Sequence, residues 1–205
     1  MDSLEASLDK EVIEFITEVE QLDEYNALHE GTISDETYIR FLKTFYVMEL
    51  ISADAVNKAS QNTKQNNPYL SKRFDLCAQG ERGHAEIALK DLQDMGIKKV
   101  DTNGADIAKA YNNFLQQGAD DFPAQIVGHS YIFESASAVL FPKQEITGNP
   151  KRFVEIHAKE DPGHSQAIRR TVRKIEPDLS TEEKEKIVSF SKKSGRYFID
   201  LFNQI

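Results

Sequence analysis

The sequence predicts an all-α protein: a single-domain bundle of about seven helices covering residues 1–205. Apolar residues recur at intervals of three and four along most of the chain, the spacing that lines one stripe of an α-helix. No stretch alternates strictly in a β-rich composition, and no Asn-Gly turn is flanked by strand-like segments. Residues with helix-start and helix-stop chemistry fall between the periodic segments.

Leu4, Leu8, Val12, Phe15, Ile16, Val19 and Leu22 form one face of a first helix expected to end near Gly31. Ser34 is placed to cap a long second helix, with Asp35 and Glu36 in the first turn, where the helix dipole favours acids. That helix carries Tyr38, Phe41, Leu42, Phe45, Tyr46, Ile51 and Val56 and fades in the polar run before Pro68. Pro68 opens a third helix, roughly 68–95, stopped by Gly96. A shorter fourth spans about 104–117, after which Asp120 or Asp121 is placed to cap and Pro123 sits in the opening turn. The fifth, AQIVGHSYIFESASAVLF, is apolar on nearly all sides, ends at Pro142 and belongs in the middle of a bundle. A sixth begins near Pro150, and a Ser180-Thr181-Glu182-Glu183 capping box starts the last.

Composition bounds the function. The net charge of −9 argues against a general nucleic-acid or anionic-membrane surface, which needs a basic face. Arg169, Arg170, Arg173 and Lys174 make a local basic patch, read as the coat of an exposed helix face. Cys77 is the single cysteine, so no internal disulfide forms, and it reads as core. The acidic start MDSLEASLDKEV has no signal-peptide core and no run of about 18 apolar residues occurs, so a cytoplasmic protein is expected.

Three elements carry chemistry. His157, Asp161 and His164 stand four and three apart, on one helix stripe. Glu81 and His84 are three apart on the third predicted helix. Glu134 lies in the apolar fifth helix, where an unpaired carboxylate costs several kcal/mol by order of magnitude and must be compensated. Each element has a plainer reading: Glu-x-x-His occurs on ordinary surfaces, and Glu134 suits an ion pair with Arg73 or Arg82. Together they make three carboxylates and three histidines on three helices, the mixed oxygen and nitrogen set that serves iron or manganese in dinuclear carboxylate bundles. Gly80 and Gly83 bracket Glu81, as a close helix approach, a local distortion or simple packing relief would require.

On these motifs the chain resembles the haem-oxygenase-like diiron oxidases, whose scaffold is shared with haem oxygenase, thiaminase-type hydrolases and pyrroloquinoline-quinone synthase. The resemblance follows helix order over essentially the whole chain. It implies metal ligation by Glu81, His84, Glu134, His157, Asp161 and His164. It also implies two ferrous ions, with manganese as an alternative, dioxygen as co-substrate, and a small amino acid or fatty acid substrate bearing a carboxylate or amine. An external electron donor and a homodimer are compatible with it. An arginine near the pocket would hold a carboxylate, and Phe45, Tyr46, Tyr131 and Phe133 would line the cavity.

A second similarity is to chlamydial-type members that make para-aminobenzoate by consuming one of their own tyrosines: Tyr25 precedes Gly31 by six residues. The third-helix spacing argues against that branch. A non-catalytic ligand-binding protein is the competing class. His29 is the sole N-terminal candidate for a haem axial ligand, and Cys77 is on the third helix where a thiaminase-type nucleophile would be on the fifth. His129 reads as a supporting or satisfied core histidine, and Glu49 as a cavity residue or an ion-pair partner. Pro162 is expected to kink the sixth helix between Asp161 and His164 or to restart it with Asp161 as cap, which makes the ligand reading strongest for His157.

Overall fold

The computed structural model describes residues 2–100, 106–143 and 149–204. Among these are eight α-helices and no strand: α1 (Leu4–Val19), α2 (Asp23–His29), α3 (Asp35–Thr63), α4 (Pro68–Asp94), α5 (Asp106–Asp121), α6 (Ile126–Leu140), α7 (Arg152–Ile175) and α8 (Thr181–Gln204). The caps follow the local chemistry. Ser34 accepts from the Thr37 N–H, Asn67 accepts from the Leu70 N–H with Pro68 beside it, and Ser180 and Glu183 exchange the two bonds of a capping box. Gly31 and Gly96 follow α2 and α4 at φ 69° and 87°, and in both turns the next residue's N–H reaches back to the carbonyl five positions earlier.

Two expected boundaries move. The first predicted helix is two, because the chain turns at Glu20–Leu22 and α2 brings Tyr25 and Leu28 back against the core. The 3.6-residue period reads through such a corner, since Leu22, Tyr25 and Leu28 keep the spacing on the far side. The fourth predicted helix runs on to Asp121, so neither Asp120 nor Asp121 is a cap; its expected start at 104 lies outside the described residues. Gly118 does not end α5. A Cβ there would sit 2.4 Å from the Phe190 ring, so glycine admits a ring of α8 against the helix.

The α3–α4 pair forms one flank. α6, with most of its residues buried, runs through the middle against α1, α7 and α8, as its all-round apolar sequence requires. Phe41, Phe45, Phe141, Phe153, Phe198 and Phe202 interlock edge to face or tilted at its centre, taking the place of the absent tryptophan. The basic patch lies on an exposed helix face, with Arg170, Arg173 and Lys174 exposed and Arg169 half-buried, and it also makes contacts. Arg169 pairs with Glu5 and Asp9, Arg173 with Glu5, and Lys174 stands 4.3 Å from the Tyr69 ring. These contacts fasten α1 and α4 to α7.

Gly128 marks the closest approach. A Cβ there would lie 2.3 Å from the Ile187 carbonyl oxygen, whereas one at Gly80 meets nothing within 4 Å. Gly128→Ala is therefore expected to destabilise the protein by about 1–3 kcal/mol through overpacking. Gly80→Ala should stabilise it by up to about 1 kcal/mol through helix propensity. Urea unfolding of the two variants beside the parent measures both.

Candidate metal centre

Four helices place the candidate residues. α7 is fixed at its start by Asp91 of α4, which is fully buried, accepts the Phe153 N–H at 2.9 Å and pairs with Arg152 at 2.7 Å. One turn on, the Nδ1 of His157 is 2.7 Å from the Phe153 carbonyl, so Nδ1 carries the proton and Nε2 is left facing inward. The ring of His84, from α4, lies 4.3 Å from that of His157. α7 continues through Pro162 without restarting, so Asp161 is not a cap. Pro162 and Gly163 face solvent while Asp161 faces inward, so the hydrogen bond that proline cannot donate is lost on the outer side.

The result is two triplets of potential ligands. Glu49, His84 and His157 form one, and Glu134, Asp161 and His164 the other; in each, one donor atom per residue lies within 4.8 Å of the rest. His157 Nε2 is 3.8 Å from Glu49 Oε1, and His164 Nδ1 is 3.3 Å from Glu134 Oε2 and 3.6 Å from Asp161 Oδ1. Glu81 belongs to neither triplet. It lines the same cavity as Glu49, His84, Glu134, His157 and Asp161. Five of the six residues expected from the sequence thus fall in the two triplets, His164 and Asp161 included, and Glu81 lies on the wall they share.

Glu49 is the residue whose place the sequence left open. It is 4% exposed, lines the cavity and faces His157 at 3.8 Å, and no lysine or arginine pairs with it among the described residues. The signal was a carboxylate inside the apolar run YVMELI, the same kind of signal that singled out Glu134. Glu134 in turn pairs with neither arginine: Arg82 faces Asp54 at 3.5 Å. Gly80 and Gly83 admit no neighbouring helix, since a Cβ at either would touch nothing within 4 Å.

The electrostatics are those of acids short of counter-charge. Burial pushes the Glu49 carboxyl up to about 7, and raises Glu81 and Glu134 as well. Burial pushes His84 down to about 3, while the adjacent carboxylates of Asp161 and Glu134 hold His164 up at about 10. Neither oxygen of Asp161, 1% exposed, finds a hydrogen-bond partner of good geometry among the described residues, and nor does Oε2 of Glu49. Such orphaned anionic oxygens beside imidazoles are the donor set that a divalent transition metal satisfies.

The cluster opens into an apolar cavity of about 80 Å³ whose walls include Phe15, Phe41, Phe45, Phe133, Phe141 and Phe198. Tyr25 lines it too. Tyr46 and Tyr131 do not, and Tyr131 instead donates to Asp9. No Arg or Lys lines it among the described residues, so the expected arginine clamp is absent there. His29 is exposed at the end of α2 and outside the cavity wall, so it is not placed as a haem ligand. Burial pushes the Cys77 thiol up to about 12, which makes it inert. His129 has both ring nitrogens partnered, by Ser52 and Tyr111.

Neither a protein-family model nor a curated protein sequence matches this chain. Solved structures do. A TenA homologue from Pyrococcus furiosus superposes with a TM-score of 0.78 at 16% identity, over 98% of each chain. A domain of unknown function with a haem-oxygenase-like fold from Shewanella denitrificans gives 0.75 at 16%, over 97% of this chain and 91% of that one. The chain has the haem-oxygenase-like fold. A haem oxygenase from the cyanobacterium Synechocystis, in complex with haem, gives 0.69 at 17%, over 98% and 91%. Identities this low carry the fold alone.

The raised carboxyls set a pH dependence in the metal-free protein. In the unfolded chain Glu49 loses its proton near 4.5, but in the fold it keeps it up to about 7. Its contribution is therefore neutral below 4.5 and grows unfavourable as pH rises to about 7. Glu49→Gln is expected to be more stable than the parent after chelation, with a margin small at pH 5 and on the order of 1–3 kcal/mol above pH 7. Urea unfolding at the two pH values, with chelator present, measures the margin.

Proposed function

We propose that this protein is a non-haem diiron oxidase or oxygenase acting on a small substrate that bears a carboxylate or amine. One observation carries the reading: four carboxylates, buried Glu49 and Asp161 and half-buried Glu81 and Glu134, gather with His84, His157 and His164, and among the described residues no lysine or arginine lines the cavity they face. Two divalent ions would bring four positive charges against four carboxylates. Glu49, His84 and His157 would hold one, Glu134, Asp161 and His164 the other, with Glu81 placed to serve both.

When bound, ferrous ions would supply electrons that dioxygen needs. The chain does the rest. The Phe153 carbonyl fixes the His157 ring so that Nε2 faces the site. The phenylalanine walls keep water from the reacting centre and hold an apolar substrate body beside it. Two other activities of this scaffold find less support. A thiaminase-type hydrolase would need a cysteine nucleophile on α6, which has none, and a haem oxygenase would need an axial histidine on an N-terminal helix, where the candidate, His29, is exposed and off the cavity wall.

A second reading has its own observation. Tyr25 is buried and lines the cavity that the acid–histidine cluster faces, as a self-sacrificing oxygenase would require. In that case Tyr25→Phe abolishes product formation and leaves iron content unchanged; if Tyr25 is only packing, turnover with an added substrate persists in the variant.

Anaerobic Fe(II) loading, desalting and elemental analysis should give about two irons per chain. Glu134→Ala and His157→Ala, which each strip a different triplet, should leave about one apiece. On exposure to air the loaded parent should consume oxygen faster when candidate fatty acids or amino acids are added. A parent protein that retains no iron and consumes no oxygen sinks this reading in favour of a non-catalytic ligand-binding bundle.

A further inference from the structure

The cavity wall carries a second polar group that the metal reading does not use. Ser52 of α3 and His129 of α6 both line the cavity, and fully buried Tyr111 of α5 stands behind them. His129 Nε2 is 3.0 Å from Ser52 Oγ, and Nδ1 is 3.3 Å from the Tyr111 hydroxyl. Phe133 packs edge-on against the same ring at 5.0 Å. Burial pushes His129 down to about 3, so the ring is neutral and both nitrogens are committed, one as donor and one as acceptor. A serine hydroxyl has one donor and two acceptor sites, and the bond to His129 uses only one of them.

Polar groups in an apolar wall cost free energy unless they are fully satisfied, so a chain of three fixed there restricts what can bind beside it. Its location is specific. Ser52 follows Glu49 by three residues, on the same stripe of α3 and about 4.5 Å further along the axis. Apart from Ser137, whose hydroxyl donates to the Phe133 carbonyl at 2.6 Å, the remaining walls are aromatic and aliphatic, without a lysine or arginine among the described residues. A zwitterionic substrate would strand its second charge against them.

We propose that Ser52, held in place by His129 and Tyr111, is a specificity-determining residue. The substrate it selects has an apolar body, one charged head that meets the acid–histidine cluster, and one uncharged hydroxyl or carbonyl within about one helical turn of that head. The head-group half of this inference rests on the metal reading, because only a metal-loaded cluster takes an anionic head; the Ser52 half does not.

Two calorimetric arms test it on the full chain. In the first, decanoate and its 2-, 3- and 4-hydroxy derivatives are titrated anaerobically into Fe(II)-loaded protein whose iron content is determined on the same samples. In the second, 1-decanol and 1,3-decanediol are titrated into the metal-free protein. At least one hydroxylated probe in each arm should bind about tenfold tighter than its parent. Ser52→Ala should erase that preference while leaving decanoate affinity unchanged, and Ser52→Thr, which keeps the hydroxyl, should retain it. Equal affinities, a preference that survives in Ser52→Ala, or no binding of any probe overturns the inference. A chain without iron that still prefers the diol through Ser52 defeats the metal reading and its head-group half alone.

Discussion

Gathering four carboxylates, two buried and two half-buried, inside a helical bundle is the constraint on which the rest of this structure turns. In a medium of low dielectric a carboxylate is costly unless a counter-charge lies within a few ångströms. Here the nearest cationic partner is His164, and it serves Glu134 and Asp161 together. Every other demand on the fold follows from keeping these acids close without an internal lysine or arginine. The four helices that supply them must cross near one point, and the space beside that point is walled by aromatic rings that themselves offer no charge.

The arginines that the centre lacks work on the outside. Arg152 and the Phe153 N–H converge on Asp91 and pin the first turn of α7 to α4, which brings His157 against His84. Arg169 and Arg173 bind Glu5 and Asp9 of α1, while Tyr131 of α6 donates to Asp9, so the far half of α7 is tied to α1 and α6. α7 is thus held on both sides of Pro162. A proline between two such anchors removes one backbone bond on the exposed side and leaves the inward stripe of His157, Asp161 and His164 intact.

Much of this was legible in the residues themselves. Capping serines, Pro68, Gly31 and Gly96 act within a few residues of the chain, so their effects can be read locally, and the His-x3-Asp-x2-His stripe follows from helix geometry alone. Glu49 was harder to read because it stands without a histidine one turn away; its surroundings belong to α4 and α7. The corner at Glu20–Leu22 is hidden for a similar reason, since apolar spacing is the same on a straight helix and on one folded back over a core. The fourth helix was expected to end at about 117, yet it runs on through Gly118, where the absence of a Cβ admits a phenylalanine from the distant α8.

The sequence by itself determined the all-helical class, most helix boundaries and six of the seven side chains that meet at the centre, because periodicity, capping and the cost of a buried acid are properties of short segments. Tertiary structure alone decided that six of these side chains divide into two triplets with Glu81 on the same cavity wall, that Glu49 completes one, and that Arg169 and Arg173, on an exposed face, also fasten helices together. It also decided that Ser52, His129 and Tyr111, spread over three helices, meet on the cavity wall. Those outcomes depend on how helices far apart in the chain cross, and the crossing is set by packing and ion pairs between segments that no local pattern records.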